Sequence, residues 1–102
     1  MIRVTRSVKV KRSRMPEALE HAKKVWVDYI MPKCLEAKNP QIMTGMFENN
    51  DVLYRSLDFE DLAAYEAGSR RLSEDDEFKK KRAEGSEWFV EGTESVAVVR
   101  LR

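Results

Sequence analysis

The sequence predicts an α+β domain whose elements follow the order βαββαβ, with helices on one face of a four-stranded antiparallel sheet. Strand-like segments begin and end the chain at Met1–Lys11 and Ser95–Arg102. Between them lie two halves of similar length, each with a helical pattern and a strand-like pattern. At 102 residues, the chain is expected to form a single domain over residues 1–102.

The composition is that of a globular protein, with 42% hydrophobic and 36% charged residues. A formal net charge of +1 argues against a nucleic-acid partner, since such proteins carry a clear basic excess. The single cysteine, Cys34, excludes an internal disulfide and fits a reducing compartment. No apolar run approaches the roughly 20 residues that a membrane span needs, so we expect a cytoplasmic location and no membrane span.

The first strand alternates between an apolar and a polar face, apart from Arg6. The apolar positions are Ile2, Val4, Val8 and Val10, and the polar positions include Thr5, Ser7 and Lys9. Arg6 places a charge on the apolar face, where it could lie over a pocket, sit at a bulge or pair with a buried carboxylate. The structural explanations are favoured over a pocket, because a bulge is a common way to redirect one strand residue.

The first helix is predicted to begin near Pro16, which suits a first helical turn, and to end or kink near Ile30 because of Pro32. His21, the only histidine, lies at the edge of its apolar stripe. A functional histidine acts as an acid, a base or a ligand because it titrates near neutrality. No second histidine, cysteine or serine accompanies His21, so we expect a partly exposed structural residue.

A hairpin is predicted where two β-type segments, residues 42–47 and 52–57, flank a turn containing two asparagines. A two-residue Asn-Asn turn would place Phe47 opposite Val52. Both faces of this hairpin are substantially apolar, and a longer loop with a shifted register would leave them so. Helices of the same chain can cover one face, so the other is expected to meet a second copy.

In the second half, Asp58 is predicted to cap a helix that carries Glu66 on its inward stripe. Glu66 could be a buried general base, or it could form an edge ion pair with Arg70, four residues further on. The ion pair is the favoured interpretation. The basic run Lys79–Arg82 indicates a solvated helix end rather than a nucleic-acid patch, because acidic residues precede it at four-residue spacing.

Three segments of the second half resemble the C-terminal half of NIPSNAP-like proteins: Leu62–Ala67, Leu72–Phe78 and Trp88–Thr93. The resemblance covers about residues 57–102 and is architectural over the first half. Such proteins belong to the dimeric α/β-barrel superfamily, which has a ferredoxin-like fold. The resemblance therefore implies a homodimer in which two sheets pack face to face around an eight-stranded barrel. It also implies a wide range of activities, including monooxygenases, haem-degrading enzymes, dehydratases and small-ligand sensors.

The leading functional hypothesis is a small homodimeric NIPSNAP-like barrel protein that holds a small anionic or carbonyl-containing ligand between the sheets. A basic, hydroxyl-bearing lining would favour such a ligand, since Arg and Lys donate charge-assisted hydrogen bonds. The candidate ligand-binding residues are Ser7, Tyr54, Ser56, Trp88 and Arg100. Trp88 belongs to an aromatic connector, residues 88–90, that either seals one end of the domain or lines a cavity.

The alternative hypothesis is a cofactor-independent monooxygenase of the antibiotic-biosynthesis type, which predicts an apolar cavity beside Trp88 and Tyr54. A haem-binding module is a weaker alternative. Haem-degrading members use a histidine on the second helix, whereas His21 lies on the first. No histidine and carboxylate cluster suggests a metal site, and no Gly-rich phosphate loop is present. We therefore expect no metal and no cofactor, and we assign no catalytic residue.

Overall fold

The computed structural model describes residues 1–102, and its elements follow the predicted βαββαβ order. The strands are β1 (Ile2–Lys9), β2 (Lys38–Thr44), β3 (Val52–Phe59) and β4 (Ser95–Arg100). The helices are α1 (Met15–Ala22), a π-helical segment (Lys23–Ile30), α2 (Met31–Lys33), α3 (Leu62–Ser73) and α4 (Asp76–Glu84). Two short 3₁₀ turns lie at Phe47–Asn49 and Gly85–Trp88. None of the helices combines the length and the apolar content that a bilayer crossing requires.

The four strands form one antiparallel sheet in the order β2-β3-β1-β4. This is the ferredoxin-like arrangement, in which each βαβ unit is split by a strand of the other half. β1 lies inside the sheet because its alternating valines suit a strand with one buried face. The predicted fold class is therefore confirmed, and the helices cover the face that carries Val4 and Val8.

The core between the sheet and the helices consists of two separate clusters of buried side chains. One cluster contains Ile2, Val4, Val25, Ile30, Cys34, Ala37, Leu57 and Phe59. The other contains Val8, Val10, Ala18, Ala22 and Leu53. Trp26 packs against both clusters. Along β1 and β3, the positions that separate the two clusters are occupied by Arg6 and Arg55, so the core is interrupted in its middle.

Of the two predicted outcomes at Ile30, an end or a kink, the end is wrong, because the helical backbone continues to Lys33. The helix type nevertheless changes after Ile30. Its middle, Lys23–Ile30, is π-helical, which joins residues five apart by hydrogen bonds. Val25 and Ile30, five residues apart, are both buried in the core. Pro32 stands in the first turn of α2, where the hydrogen-bonding pattern changes and its missing amide is tolerated.

The hairpin register is shifted by two residues from the predicted one. Met43 lies opposite Tyr54, and Phe47 does not face Val52 because it belongs to a 3₁₀ turn. Phe47 adopts a left-handed φ of 59° and is 86% exposed. Because side chains alternate with a period of two, this shift keeps the paired residues Ile42–Thr44 and Leu53–Arg55 on their predicted faces, and both faces remain partly apolar.

The caps of the last two helices also correct the prediction. Asp58 lies within β3, and Asp61 caps α3 by accepting a hydrogen bond from the Ala64 amide at 2.9 Å. Asp75 caps α4 in the same way. Glu66 is exposed on α3 and forms no ion pair with Arg70, so neither interpretation of this glutamate is supported.

Asp58 instead links the three strands β1, β2 and β3 on the face away from the helices. Its carboxylate accepts hydrogen bonds from Arg3 Nε at 2.8 Å, Arg3 Nη2 at 3.1 Å and Asn39 Nδ2 at 3.1 Å. Arg3 and Asp58 are direct cross-strand partners. Only 1% of Asp58 is exposed, and these charge-assisted hydrogen bonds offset the cost of burying its carboxylate. This network fixes the pairing of the strands at one end of the sheet.

We predict that Asp58→Asn lowers the free energy of unfolding by about 1–3 kcal/mol, because buried charge-assisted hydrogen bonds are lost. The hydrogen bonds from Arg3 lower the pKa of Asp58 from its ordinary value. The stabilisation is therefore fully present above the unfolded-state pKa, about 4, and is lost as the pH falls through the lower folded-state value. Urea denaturation of both proteins at neutral and acid pH measures the difference, which should shrink in acid.

The control for this prediction is Glu60→Gln, which removes an exposed ion pair with Lys38 at 3.2 Å. Exposed pairs contribute little to stability, so this change should be nearly neutral. A cost for Asp58→Asn no greater than that for Glu60→Gln would contradict the proposed role of the network.

Candidate ligand-binding cavity

A cavity of about 590 Å³ lies between the helices and the sheet. This volume is within the range of small-molecule sites in proteins. α1, the π-helical segment, α3 and α4 contribute to its walls, together with the strands β1, β3 and β4. Of its 25 lining residues, 13 are hydrophobic, so the cavity combines apolar walls with a limited number of polar groups.

Two arginines form the floor of this cavity. Arg6 of β1 and Arg55 of β3 are direct cross-strand partners, and both line the cavity on the helix-covered face of the sheet. The pairing of β1 with β3 is continuous from Ile2 to Lys9, so the favoured prediction of a bulge at Arg6 is wrong. The alternative that Arg6 lies over a pocket is confirmed.

The Arg55 guanidinium is held between two aromatic rings. Its Cζ lies 5.6 Å from the centre of the Trp26 ring and 5.5 Å from that of Phe89, within cation–π distance. Its Nε is buried and has no hydrogen-bond partner. Burial lowers the pKa of Arg55 to about 10; the Glu94 carboxylate opposes this effect and the Arg6 charge adds to it. Arg55 is thus a partly buried cation whose charge is incompletely compensated.

Arg6 is also without an anionic partner. Its Nη2 donates a long hydrogen bond, 3.4 Å, to the Tyr65 hydroxyl on α3, and no carboxylate lies within ion-pair distance. The single acidic lining residue, Glu94, faces Arg82 at 3.9 Å. The arginine pair therefore offers unused N–H donors to an anion or a carbonyl oxygen inside the cavity.

His21 also lines the cavity, but its ring is engaged by the protein. Its Nε2 lies 2.7 Å from the Lys81 carbonyl oxygen, to which a protonated Nε2 donates, and the ring packs edge to face against Trp88 at 5.4 Å. Gly85 lies so close that an added Cβ would come within 2.5 Å of the ring. His21 therefore joins the first helix to α4, as a structural role requires. No group of three His, Cys, Asp or Glu side chains converges to form a metal centre.

The predicted ligand-binding residues lie mainly outside this cavity. Tyr54 and Ser56 lie on the open face of the sheet, the face not covered by helices. Ser7 pairs with Tyr54 on that face, so only its backbone borders the cavity. Arg100 lies opposite Ile2 on the helix-side face, so it does not share a face with Ser7, Tyr54 and Ser56. β4 pairs with β1 in a register that the sequence pattern did not determine.

Trp88 does not line the cavity, whereas its neighbour Phe89 does. Hydrogen bonds from Lys11 N to the Trp88 carbonyl and from Val90 N to the Lys9 carbonyl join this connector to the end of β1. Trp88 ends the 3₁₀ turn and packs on His21, whereas Phe89 begins the extended backbone that follows and reaches Arg55. The cavity therefore lies beside Trp26 and Phe89, not beside Trp88 and Tyr54.

Sequence reasoning missed Arg55, although a signal for it existed. Both Arg6 and Arg55 interrupt an otherwise apolar face of a predicted strand. A single charged residue on an apolar strand face has several explanations. Two residues of the same charge on the apolar faces of neighbouring strands indicate one shared polar site in the core.

Comparison with solved structures finds this fold in other proteins. A NIPSNAP domain protein from Burkholderia xenovorans superimposes with a TM-score of 0.83 at 13% identity, over 100% of this chain and 95% of that one. A NIPSNAP family protein from Agrobacterium tumefaciens gives a TM-score of 0.80 at 11% identity, over 99% and 85% of the two chains. An antibiotic biosynthesis monooxygenase gives 0.72 at 9% identity, over 100% and 99%.

No family model matches the chain, and no curated protein matches it by sequence. At these low identities the structural likeness defines the fold alone. The chain has the ferredoxin-like fold found in NIPSNAP domain proteins and in an antibiotic biosynthesis monooxygenase. The predicted NIPSNAP-like resemblance is thus confirmed at the level of the fold.

We predict that Arg55→Met stabilises the ligand-free protein by about 1–3 kcal/mol, because an apolar side chain replaces a buried, unpaired charge. The folded-state pKa of about 10 lies below the ordinary value, so the charged form is disfavoured by folding. This cost is fully present at neutral pH and is relieved only as the pH rises through about 10. Urea denaturation at pH 7 measures the gain. Arg70→Met, on the exposed side of α3, is the control, and an equal effect of both changes would contradict the prediction.

Proposed function

We propose that this protein is a homodimer that binds a small anionic or carbonyl-containing molecule in the cavity between its helices and its sheet. The observation that carries the proposal is the Arg6–Arg55 pair, two partly buried cross-strand cations without an ion-paired carboxylate, of which Arg55 has a buried Nε with no hydrogen-bond partner. Burying a charge without an ion-pair partner lowers stability, and natural proteins retain such destabilising features mainly at functional sites. The buried, unpaired thiol of Cys34 supports a reducing location such as the cytoplasm.

The dimer is proposed to form through the open face of the sheet. Apolar and aromatic side chains on this face come from three strands: Met43, Val52, Tyr54, Ala97 and Val99. No helix of the chain covers them, and Val99 is 50% exposed. The net charge of +1 presents no barrier to the approach of two copies. Burying this face against a second copy would remove its apolar surface from water.

A cofactor-independent monooxygenase is the second candidate function, supported by the likeness to an antibiotic biosynthesis monooxygenase together with the cavity. Such chemistry needs a substrate whose own anion donates electrons to oxygen. The arginine pair could stabilise an enolate or phenolate oxygen of this kind. An oxygen electrode tests the proposal with a panel of phenols and 1,3-diketones. Uptake that is lost in Arg55→Gln supports this activity, and uptake equal in both proteins contradicts it.

We predict that Val99→Lys converts the dimer into a monomer, because a lysine charge would be buried in the interface. Size-exclusion chromatography with light scattering should change from twice to once the chain mass of 11.9 kDa. Val27→Lys is the matched control, since Val27 is a partly exposed valine on the first helix, at 39%, and should leave the dimer intact. A wild-type protein that is monomeric at micromolar concentration would refute the proposed assembly.

We also predict that the protein purified from its own host retains a small molecule, one for each chain. Native mass spectrometry should record the added mass, and denaturation should release it. An Arg6→Gln/Arg55→Gln double variant, purified in the same way, should lose the added mass because its anion-binding floor is neutral. Retention of the same mass by that variant would exclude the arginine pair as the ligand site.

A further inference from the structure

We infer that the ligand is an aromatic carboxylate, with its carboxylate on the Arg6–Arg55 pair and its ring system against the aromatic wall of the cavity. This inference deepens the proposed function and depends on it. The proposed function requires only a small anion or carbonyl compound, whereas the inference specifies both the charged group and the body of the ligand.

The charge of the cavity selects an anion. Besides Arg6 and Arg55, the lining contains Lys79 and Arg82, whereas Glu94 is its single carboxylate. Arg82 already lies 3.9 Å from Glu94, so this acid does not neutralise the floor. A negatively charged ligand group would therefore enter a site whose fixed charge favours it and whose Arg55 Nε has no other acceptor.

The aromatic side chains that line the cavity favour a ligand with an aromatic ring system. Five of the nine aromatic residues of the chain line this one cavity: Trp26, Phe59, Tyr65, Phe78 and Phe89. Flat rings stack or pack edge to face on such side chains, which adds to the free energy of burying apolar area. At about 590 Å³, the space is also larger than an inorganic anion needs.

The arrangement of these groups orients the ligand. Phe59, Leu72 and Phe78 form an apolar end of the cavity next to the larger core cluster. Arg82 and Glu94, which lie 3.9 Å apart, add polar groups to the lining. Because the arginine pair lies between the two core clusters, the ring system fits on the side of Phe59, with its carboxylate on the arginines.

The helix N-termini, where phosphates often bind in proteins, favour a carboxylate over a phosphate here. At the starts of α3 and α4, the amides of Ala64, Glu77 and Phe78 already donate to the caps Asp61 and Asp75. Guanidiniums pair with phosphates as well, but without help from such amides they match a planar carboxylate in bidentate geometry. Two guanidiniums in one cross-strand position can each contribute to holding it.

Isothermal titration calorimetry with three probes tests the inference: naphthalene-2-carboxylate, the neutral 2-naphthalenemethanol and the aliphatic octanoate. We expect the naphthoate to bind at least tenfold more tightly than either of the others. In Arg6→Gln and Arg55→Gln, its advantage over the alcohol should fall to less than threefold. Arg70→Gln, which removes the same charge from the exposed side of α3, should keep the full advantage.

The outcomes separate the inference from the proposed function. If the wild type bound the naphthoate and the alcohol equally well, the ligand would not need a carboxylate. If it bound octanoate as tightly as the naphthoate, the ligand would not need an aromatic ring. Either result would leave a cavity that binds small molecules. A full naphthoate advantage in both arginine variants would overturn the site. If none of the probes bound and purified protein retained no molecule, the proposed function would fail as well.

A measurement on the wild type does not depend on whether the variants fold. Nuclear magnetic resonance of the arginine Nε–H groups should show the Arg55 signal moving on titration with naphthalene-2-carboxylate, because its unpartnered Nε acquires an acceptor nearby. The signal should move little with 2-naphthalenemethanol. Equal shifts with both probes would contradict a carboxylate bound at Arg55.

Discussion

The structure depends on two like charges that face each other across the middle of the sheet, on the side where the helices pack. Arg6 and Arg55 cannot be covered by apolar side chains without a large desolvation cost, and no carboxylate neutralises them. The first helix supplies residues to both core clusters, and the core is interrupted at the arginine pair, where the cavity lies. Trp26, which contacts both clusters and the Arg55 guanidinium, is the side chain that spans this interruption.

On the opposite face of the same strands, the buried charge has hydrogen-bond partners within the protein. There Asp58 is nearly inaccessible to solvent, but Arg3 and Asn39 satisfy its carboxylate completely. A buried charge that is hydrogen-bonded within the protein stabilises strand pairing, whereas a charge without such partners can bind an ion of opposite sign. Since neighbouring strand residues point to opposite faces, Tyr54 and Arg55 belong to different surfaces although they are adjacent in sequence. Substitutions at Tyr54 and at Arg55 therefore change different surfaces of the protein.

The order of elements, the strand faces and the apolar character of the hairpin could be predicted, because each follows from local periodicity. The hairpin register could not be predicted, because the left-handed Phe47 and the 3₁₀ turn replaced a two-residue turn. The partner of Arg100 depended on how β4 aligns with β1, which is a long-range property. The cavity was missed for a similar reason. Arg6 was recognised as an exception, but only the pairing of β1 with β3 brings Arg55 beside it and turns two exceptions into one site.

The edge position of β4 has a consequence for the rate at which the cavity exchanges its contents. All six residues of β4 are exposed, and β1 is the one element with which it makes extensive contact. Val96 and Ser95 nevertheless form part of the cavity wall. Hydrogen exchange and ligand exchange should therefore report the same local opening, in which β4 separates from β1 while the helices and the other strands stay folded. Access to the interior would then be set by the stability of one edge strand rather than by the movement of a lid.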